Sequence, residues 1–306
     1  MTQARILIGT RSPATGRRYP IRTVLEVFAL PVSAFYARNS RSAAPDSPAA
    51  PRAKSGPKTP LDDAALLSAI REVITTSPFS GEGYRKVRAR LAMRGLRVGR
   101  NRVHRLMKLH NLLAPTRHRH NGAKRIHDGT IITERPNQCW GGDATEVVTT
   151  RDGKVTIFDL IDHCTDEILG VTVTTTANRF AALDCLHQAV RREFGQVAKD
   201  AARGVTLRLD HGSQFTSGRY VNEATHLGCS LSYAFVGQPE CNGVIERWHR
   251  TLKEQLLWNR TWETADQVRA AVNEFVERYN HHWLIERHGH RPPRVVRNGF
   301  RTTEAA

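Results

Sequence analysis

The spacing of hydrophobic residues divides the chain into a helical first half and a second half of alternating strands and helices. Before residue 115, apolar residues recur three and four positions apart, the period of a helix with one buried face. This spacing predicts two short helices in 21–38 broken at Leu30-Pro31, a helix that Thr59 caps and that runs to Pro78, and helices at 82–94 and about 100–111. Residues 39–60 are nearly all Pro, Ala, Ser and basic residues. Because this segment has little to bury, we expect a semi-extended linker.

From Pro136 onward the pattern predicts elements in the order β-β-β-α-β-α-β-α. Runs rich in Val, Ile and Thr predict strands, and apolar residues at helical spacing predict the helices between them. The strands are predicted at 147–150, 155–161, 168–176, 205–209 and 229–235, and the helices at 179–194, at 217–227 and from near Gly243. This order is that of an α/β fold of the ribonuclease-H-like type, an antiparallel meander extended by parallel crossovers into a mixed sheet. Thr264 and Gln267 predict the start of a last amphipathic helix that runs through Tyr279.

Composition argues against membrane and secreted proteins. The 306 residues are 40% hydrophobic and 25% charged, and no apolar run approaches the roughly 18 residues of a membrane span. The apolar patch Ile6-Leu7-Ile8 is too small for the core of a signal peptide. Five widely spaced cysteines without a C-x-x-C pair fit a reducing cytosol, and they argue against a disulfide framework or a thiolate zinc site. We therefore expect a cytoplasmic protein of about two domains with no membrane partner.

Positive charge is concentrated in the first half of the chain. The net charge is +17, and residues 1–135 hold 26 Lys and Arg against 8 Asp and Glu, whereas residues 136–306 hold 20 against 21. Within 81–125 there are 14 basic residues and one acid, Glu82. An evenly mixed basic surface can serve solubility alone, but concentration in one segment indicates a polyanionic partner, most often nucleic acid.

The helices predicted at 82–94 and 100–111 form a helix-turn-helix, because a tight turn containing Gly95 and Gly99 joins them. In such motifs the second helix enters the major groove of DNA and the first crosses the backbone. The alternative is an ordinary helical hairpin with a solvated basic face, but no acids alternate with the bases. The residues expected to contact DNA are Arg85, Lys86, Arg88, Arg100, Arg102, Arg105 and Lys108.

Residues 116–135 form a second basic connector with little periodicity. Its histidines, His118, His120 and His127, are candidate metal ligands. They lack both cysteine partners and the i, i+4 spacing of a helical metal site. We interpret this segment as a strap that contacts phosphates.

Three acids fall where the predicted sheet would bring them together. Asp143 lies on the first strand, and Asp210 ends the fourth strand at the edge where open α/β sheets bind ligands. Glu246 lies one turn into the helix that begins near Gly243, after the loop 237–243. Three converging carboxylates repel one another unless cations compensate them, and such hard oxygen ligands suit Mg²⁺ or Mn²⁺. Two ions about 3.5–4 Å apart can activate an attacking oxygen and stabilise the leaving one in an in-line displacement at phosphorus. Taken singly, each acid could instead be a surface residue or a cap.

The residues around these acids form three motifs with a defined spacing. The motifs are Trp140-x-x-Asp143-x-Thr145, Leu209-Asp210-His211-Gly212-Ser213-Gln214-Phe215 and Asn242-Gly243-x-x-Glu246-Arg247-x-x-x-Thr251-Leu252-Lys253. Between Asp143 and Asp210 lie 66 residues, and 35 separate Asp210 from Glu246. They resemble the signatures of the retroviral-integrase-type DDE transposases and, more narrowly, the longer-frame product of bacterial insertion sequences of the IS-three family. Further matches lie at 83–87, 100–103, 162–165 and 277–280, so the resemblance covers roughly residues 21–297.

The resemblance implies that Asp143, Asp210 and Glu246 are a metal-binding catalytic triad that uses two Mg²⁺ or Mn²⁺ ions. It implies a transposase that binds the terminal repeats of its element, cuts there, and joins the 3′-hydroxyls to target DNA. We also expect a homo-oligomer on DNA, and an upstream short-frame partner remains open. Further DNA contacts are expected from Asn242, Arg247, Arg250 and Lys253. Gly142 departs from the family, which more often has a polar residue there.

Two other functions remain open at this point. One is an element-derived DNA-binding regulator with vestigial acids, and the other is a plain RNase-H-type nuclease. Three intact acids at the right interval favour the transposase, and a nuclease would leave the helix-turn-helix without a role. We expect short N-terminal helices at 1–40, a linker at 41–60, a DNA-binding domain at 61–115, a basic linker at 116–135, a catalytic domain at 136–257 and a C-terminal helix and tail at 258–306. The expected location is the cytoplasm, in association with the nucleoid.

Overall fold

The computed structural model of the chain describes residues 2–36, 61–115, 133–233 and 243–304. It divides into two compact units, Met1–Pro60 and Leu61–Ala306. The linker predicted at 41–60 and most of the connector predicted at 116–135, with its three candidate histidines, lie outside the described residues, as does Asn242. No helix among the described residues combines the length and the apolarity that a membrane span requires.

The first unit contains short helices. Helices α1 (Thr2–Gly9) and α2 (Ile21–Val27) precede a short helical stretch at residues 32–36. The predicted break at Leu30-Pro31 is confirmed, because Ala29 adopts a positive φ of 48° just after α2. Helix α1 lies within the N-terminal helices expected at 1–40, but its own range is not predicted, since its apolar patch is too short to display a helical period.

The second unit begins with three helices that share one small core. These are α3 (Asp63–Thr76), α4 (Tyr84–Met93) and α5 (Arg100–Leu109). Their buried side chains are Leu66, Ile70, Val73, Val87, Leu91, Val103, Leu106 and Met107. The predicted pair of helices joined by a tight turn is therefore present.

The ends of these helices differ from the prediction. Thr59 is the wrong cap for α3, because the Asp62 side chain accepts a hydrogen bond from the Ala65 N–H at 2.7 Å and starts the helix there. Helix α4 starts after Gly83, which is extended, so Glu82 lies outside it. At the end of α5, Asn111 has a positive φ of 54°, which breaks the helix before the predicted end at 111.

A five-stranded mixed sheet follows. Its strands are β1 (Cys139–Thr149), β2 (Gly153–Asp162), β3 (Ile168–Thr174), β4 (Thr206–Leu209) and β5 (Ser230–Tyr233). Their order across the sheet is β3-β2-β1-β4-β5. Strands β1, β2 and β3 pair antiparallel, whereas β4 runs parallel to β1 and β5 runs parallel to β4. The predicted ribonuclease-H-like sheet is confirmed.

Strand β1 contains Asp143, as expected, but it begins eight residues before the run predicted at 147–150. The prediction is wrong because Gly141 and Gly142 have low strand propensity. Packing nevertheless favours Gly142: a Cβ at this position would lie 2.6 Å from the Leu209 side chain and 2.9 Å from that of Leu160, so both buried leucines would have to shift. The departure of Gly142 from the family pattern therefore has a local steric reason.

Helices cover both faces of the sheet. In chain order they are α6 (Arg179–Phe194), α7 (Ser213–Thr216), α8 (Gly218–His226), α9 (Gly243–Leu252) and α10 (Ala265–His282). Helices α6 to α8 pack on the sheet in one core that includes Trp140 and Phe158. Helices α9 and α10 pack in a second core that includes Ile157 and Trp248. A π-helical turn, Lys253–Leu257, continues α9 directly.

The chain has one more helix than predicted at its C-terminal end. Helix α11 (Pro293–Glu304) follows α10, so the helix through Tyr279 is not the last. The sequence pattern misses α11 because its inward side carries an arginine, Arg297, which is 1% exposed. This guanidinium lies 3.1 Å from Asp162 and 2.5 Å from Glu193, and it also contacts Glu167.

Two of the further family matches have structural roles. Asp162 Oδ1 accepts hydrogen bonds from the backbone N–H groups of Cys164 and Thr165 at 2.9 and 2.8 Å, which shapes the β2–β3 turn. The Asn280 amide exchanges two 2.9 Å hydrogen bonds with the Ile168 backbone and so joins α10 to β3. These contacts hold the scaffold on which the carboxylates stand.

Candidate active site

Asp143 and Asp210 lie side by side at the point where β4 ends and the neighbouring β1 continues. Strands β1 and β4 run parallel, with Gly141 opposite Arg208. Asp143 and Asp210 are each two residues further along, so both stand where β4 ends. The sheet therefore brings together two of the three acids that the motifs predict.

Local hydrogen bonds orient both carboxylates. Asp210 Oδ1 accepts the Gly212 N–H at 2.9 Å, which closes a tight turn directly after β4. A Cβ at Gly212 would lie 2.9 Å from that same oxygen and closer still to the Gln214 side chain, so a larger residue would require these side chains to shift. Asp143 Oδ1 accepts the Ala144 N–H at 2.7 Å.

Helix α9 carries the third acid, Glu246. Its sides differ sharply: Ile245, Trp248 and Leu252 are buried in the core, whereas Glu246 and Arg250 are exposed one turn apart. A cleft of about 300 Å³ opens along the exposed side. It is lined by Glu246, His249, Arg250, Lys253 and Trp258.

His249 links this helix to the strand that bears Asp143. Its Nε2 lies 2.9 Å from Asp159 Oδ2, and its Nδ1 lies 3.4 Å from Asp143 Oδ2. Asp159 is directly opposite Asp143 in the β1–β2 register and is 1% exposed. The Trp248 indole N–H donates to the other oxygen of Asp159. The buried Asp159 carboxylate thus contacts two side chains of α9 and holds this helix next to Asp143.

The surroundings of Asp143 and Glu246 disfavour the negatively charged form of both carboxyl groups. Burial raises the pKa of Asp143, the neighbouring Asp210 raises it further, and His249 counteracts both. Burial also raises the pKa of Glu246, against the opposing effect of Arg250 and His249. For His249 burial disfavours the imidazolium, but Asp159 and Asp143 outweigh it, so the pKa is raised.

The donor chemistry of the site fits a hard divalent cation. Two carboxylates share the sheet edge, and the charged form of Asp143 is disfavoured until a cation compensates it. Among the described residues, however, no three His, Cys, Asp or Glu side chains are grouped closely enough to hold one metal ion. Asp143 and Asp210 are neighbours, and Glu246 stands apart from them on α9.

The predicted DNA contacts on α5 lie on its outer side. Arg100, Arg105 and Lys108 are exposed, and Arg102 is half-buried. Asp63 of α3 pairs with two of them, at 2.8 Å from Arg102 and 2.5 Å from Arg105.

The predicted contacts on α4 point in a different direction. Arg85 pairs with Glu286 at 2.5 Å, and the Lys86 ammonium lies 3.0 Å above the centre of the Trp283 ring. Arg88 donates to the Val98 carbonyl within the turn. Arg85 and Lys86 thus contact residues that follow α10. Their role in DNA binding stays a prediction.

Three residues of the site escape sequence reasoning: Asp159, His249 and Trp258. A charged residue inside the apolar run 155–161 is a signal for Asp159, because a buried carboxylate needs partners. His249 stands three residues after Glu246, on the neighbouring side of the same helix. No periodic signal marks Trp258, which follows the π-helical turn.

Comparison with known families matches three segments of the chain. Models of the integrase core domain match residues 133–239 and 227–293, and a model of an HTH-like domain matches residues 60–120. The first contains Asp143 and Asp210, the second contains Glu246, and the third contains α3 to α5.

Named relatives cover most of the chain. The transposase for insertion sequence element IS629 of Shigella sonnei is 30% identical over 71% of this chain and 74% of its own length. Transposase InsD for insertion element IS2 of Escherichia coli is 29% identical over 76% of this chain and 78% of its own length.

Solved structures are more distant. A chain of a simian T-cell lymphotropic virus intasome is 16% identical, with a TM-score of 0.46 over 77% of this chain and 74% of its own length. The chain belongs to the insertion-sequence DNA transposases with an integrase core, in the IS-three family.

Proposed function

We propose that this transposase cuts and joins DNA at the sheet edge formed by Asp143 and Asp210, with Glu246 as the third carboxylate. The observation that carries the proposal is that two acids stand on neighbouring parallel strands, each two residues beyond the paired Gly141 and Arg208, while the helix that bears the third acid contacts Asp143 through His249.

The proposed cofactor is Mg²⁺ or Mn²⁺, as two ions held by Asp143, Asp210 and Glu246. Such ions, when bound, polarise the scissile phosphate and stabilise the oxygens that attack and leave. The residues supply the negative charge that the ions compensate, and the turn at Gly212 holds the Asp210 carboxylate at the edge. Glu246, on an exposed turn of α9, would complete the ligand set when metal and DNA are present.

The proposed substrates are the terminal repeats of the element and a target duplex. Helices α3 to α5 would hold the repeat through Arg100, Arg102, Arg105 and Lys108, since phosphate contacts fix register and base contacts give specificity. Arg247, Arg250 and Lys253 would hold phosphates near Glu246, because two of them line the same cleft. In this scheme residues 61–115 recognise DNA and residues 136–257 perform the chemistry.

We propose that the protein acts as a homo-oligomer assembled on DNA, in which each of the two element ends meets its own set of carboxylates. An upstream short-frame product is a further proposed partner. We also propose a cytoplasmic location at the nucleoid, where the DNA substrates lie.

Variants of the three acids test the catalytic assignment. We expect Asp143→Ala, Asp210→Ala and Glu246→Gln each to abolish cutting and joining while binding of element ends is kept, because these acids hold metal and not bases. Losing a hydrogen-bond partner of a metal ligand already costs about 10- to 100-fold, so losing a ligand itself should cost at least about tenfold. The measurement is strand transfer of labelled element ends, with end binding measured in parallel.

Glu274→Gln, which removes an exposed acid of α10, is the matched control and should join at the wild-type rate. If Glu246→Gln kept more than about a tenth of the strand-transfer rate, the assignment of the third acid would be wrong.

A further inference from the structure

Trp258 is an exposed tryptophan at the end of the cleft that holds Glu246. Its side chain is 70% exposed, whereas Trp140, Trp248 and Trp262 are at most 2% exposed. Tryptophan is highly buried on average, so a large flat ring open to solvent beside the candidate catalytic acid requires an explanation.

The π-helical turn places this ring. The backbone N–H of Trp258 donates to the backbone carbonyl of Lys253, five residues earlier, at 2.9 Å. In an α-helix the two residues would be four apart. Leu257 is thereby buried in the core, and Trp258 lines the cleft together with Glu246 and Arg250. Single π-turns inside helices occur frequently at functional sites.

The turn is anchored on several sides. Gln255 exchanges hydrogen bonds with the Ser80 backbone, accepting its N–H at 3.1 Å and donating to its carbonyl at 3.0 Å. The Trp262 indole N–H donates to the Leu257 carbonyl at 3.0 Å. These contacts fix the backbone on which Trp258 stands, so the ring is presented at a defined place.

The chemistry of the cleft identifies a ligand class. Arg250 and Lys253 offer positive charge for phosphates, and Trp258 offers an apolar face a turn away. This combination of a cationic track and an aromatic platform binds single-stranded nucleic acid, whose bases stack on the ring. In a duplex the faces of each base are covered by its neighbours, so only an unstacked base can use such a platform.

We propose that Trp258 stacks on an unpaired nucleobase next to the phosphate that is cut or joined. The proposal rests on the catalytic assignment of Glu246, because it places the base beside that residue. Holding this base out of the helix would keep the neighbouring phosphate at the carboxylates. The base belongs either to the element end or to the target strand.

A photochemical cross-link tests the contact directly. The full chain is mixed with duplexes that carry the element's terminal repeat or a target sequence, with 5-iododeoxyuridine at single positions flanking the cut or the insertion point. Because iodouracil cross-links to a stacked aromatic ring, we expect one position to yield a peptide containing Trp258. The duplex that gives this product identifies the source of the base. No cross-link to Trp258 from either duplex would overturn the proposal.

Kinetics provide the second measurement. Loss of one stacking contact predicts that Trp258→Ala lowers strand transfer roughly 5- to 150-fold, whereas Trp258→Phe keeps most of the rate. A mismatch opposite the stacked base should partly restore the alanine variant, because the base is then already unpaired. Phe180→Ala, which removes a 54% exposed aromatic ring on α6, is the control and should join normally.

The two proposals can fail separately. Glu246→Gln should lose joining yet retain the cross-link to Trp258, so an active Glu246→Gln variant would contradict the triad alone. Equal joining by Trp258→Ala and wild type would reject the stacking role whatever Glu246 does.

Discussion

Asp159 illustrates how a single buried charge organises this site. It stands in the middle of β2, between apolar neighbours, and would be costly to bury alone. Its two oxygens are satisfied by the Trp248 indole and the His249 imidazole, both from α9. One carboxylate therefore ties the helix that carries Glu246 to the strand opposite Asp143.

The catalytic acids could be predicted at residue scale, and their supports could not. Asp143, Asp210 and Glu246 stand within motifs of defined spacing, which the sequence displays directly. His249 and Asp159 are distant in sequence, and only the pairing of β1 with β2 and the packing of α9 bring them together. Trp258 depends on a five-residue turn that no periodic pattern signals.

Asp143 should lower the stability of the metal-free protein. Burial and Asp210 raise its pKa in the folded state, so the ionised carboxylate disfavours folding at any pH above that value. We expect Asp143→Asn to raise the thermal midpoint of the metal-free protein at pH 7. The gain should shrink as the pH falls through the pKa of Asp143, because the wild-type side chain then becomes neutral too.

Thermal unfolding with and without Mg²⁺ measures this effect. Added Mg²⁺ should stabilise the wild type more than Asp143→Asn, since only the wild type offers the full carboxylate set. Asp184→Asn, at an exposed position of α6, is the control and should change neither midpoint. An Asp143→Asn variant that melts below the wild type without metal would contradict the expectation.

At the scale of elements, apolar periodicity predicts best where the buried face is purely apolar. Helix α6 matches its predicted range of 179–194, because its inward residues are Ala, Leu, Cys and Val at helical spacing. Helix α11 is missed because its inward side is held by ion pairs of Arg297, which a hydrophobic pattern cannot register. Removing such a buried partner typically costs several kcal/mol of stability, so these ion pairs hold the helix together with the buried Val296.

Helix α5 is restrained by an acid of its neighbour, α3. Asp63 pairs with both Arg102 and Arg105, two of the predicted DNA contacts. A carboxylate at this place competes with DNA phosphates for the same guanidinium groups. We expect Asp63→Asn to bind element ends more tightly at low salt and to steepen the salt dependence, by up to about 0.9 in log–log slope for each new phosphate contact.

Binding across a salt series, with matched and scrambled ends, measures this change. Glu72→Gln is the control, because it breaks a similar exposed pair, with Arg94, at the other end of α3. Glu72→Gln should leave the salt-dependence slope of DNA binding unchanged if, of these helices, only α5 contacts DNA. Weaker binding by Asp63→Asn would mean that the acid orients the arginines and does not compete with DNA.

At the scale of the whole molecule, charge and packing divide the chain at different places. The basic excess ends near residue 135, yet Leu61–Ala306 is one compact unit. Phe79, just before α4, is 5% exposed and packs edge-on against Phe275 and Trp283, with ring centres 6.2 and 4.8 Å apart. The charge boundary can be read from the sequence. The packing of Phe79 cannot, because a single aromatic residue before a helix gives no periodic pattern.

The contact of Phe79 with Phe275 and Trp283 forms a joint between the recognition helices, α3 to α5, and the catalytic core. This joint should couple the binding of element ends to strand transfer. Arg90 strengthens it by pairing with the buried Glu82 and donating to the His282 carbonyl at 3.2 Å. Phe79→Ala should lower the free energy of unfolding by about 3–5 kcal/mol, because it empties a buried aromatic site. Phe79→Leu keeps most of that packing and serves as the folded comparison.

We expect Phe79→Leu to lower strand transfer more than end binding. The recognition helices would still hold the element end, but a looser joint would place its phosphate less accurately at Asp143 and Asp210, and small misplacements of reacting groups are costly. Urea unfolding, end binding and strand transfer of the same preparations separate these effects, with the exposed Phe180→Ala as control. Should binding and joining fall by the same factor, the contact of Phe79 with Phe275 and Trp283 would serve folding alone, and the position of the DNA end would have to be set elsewhere.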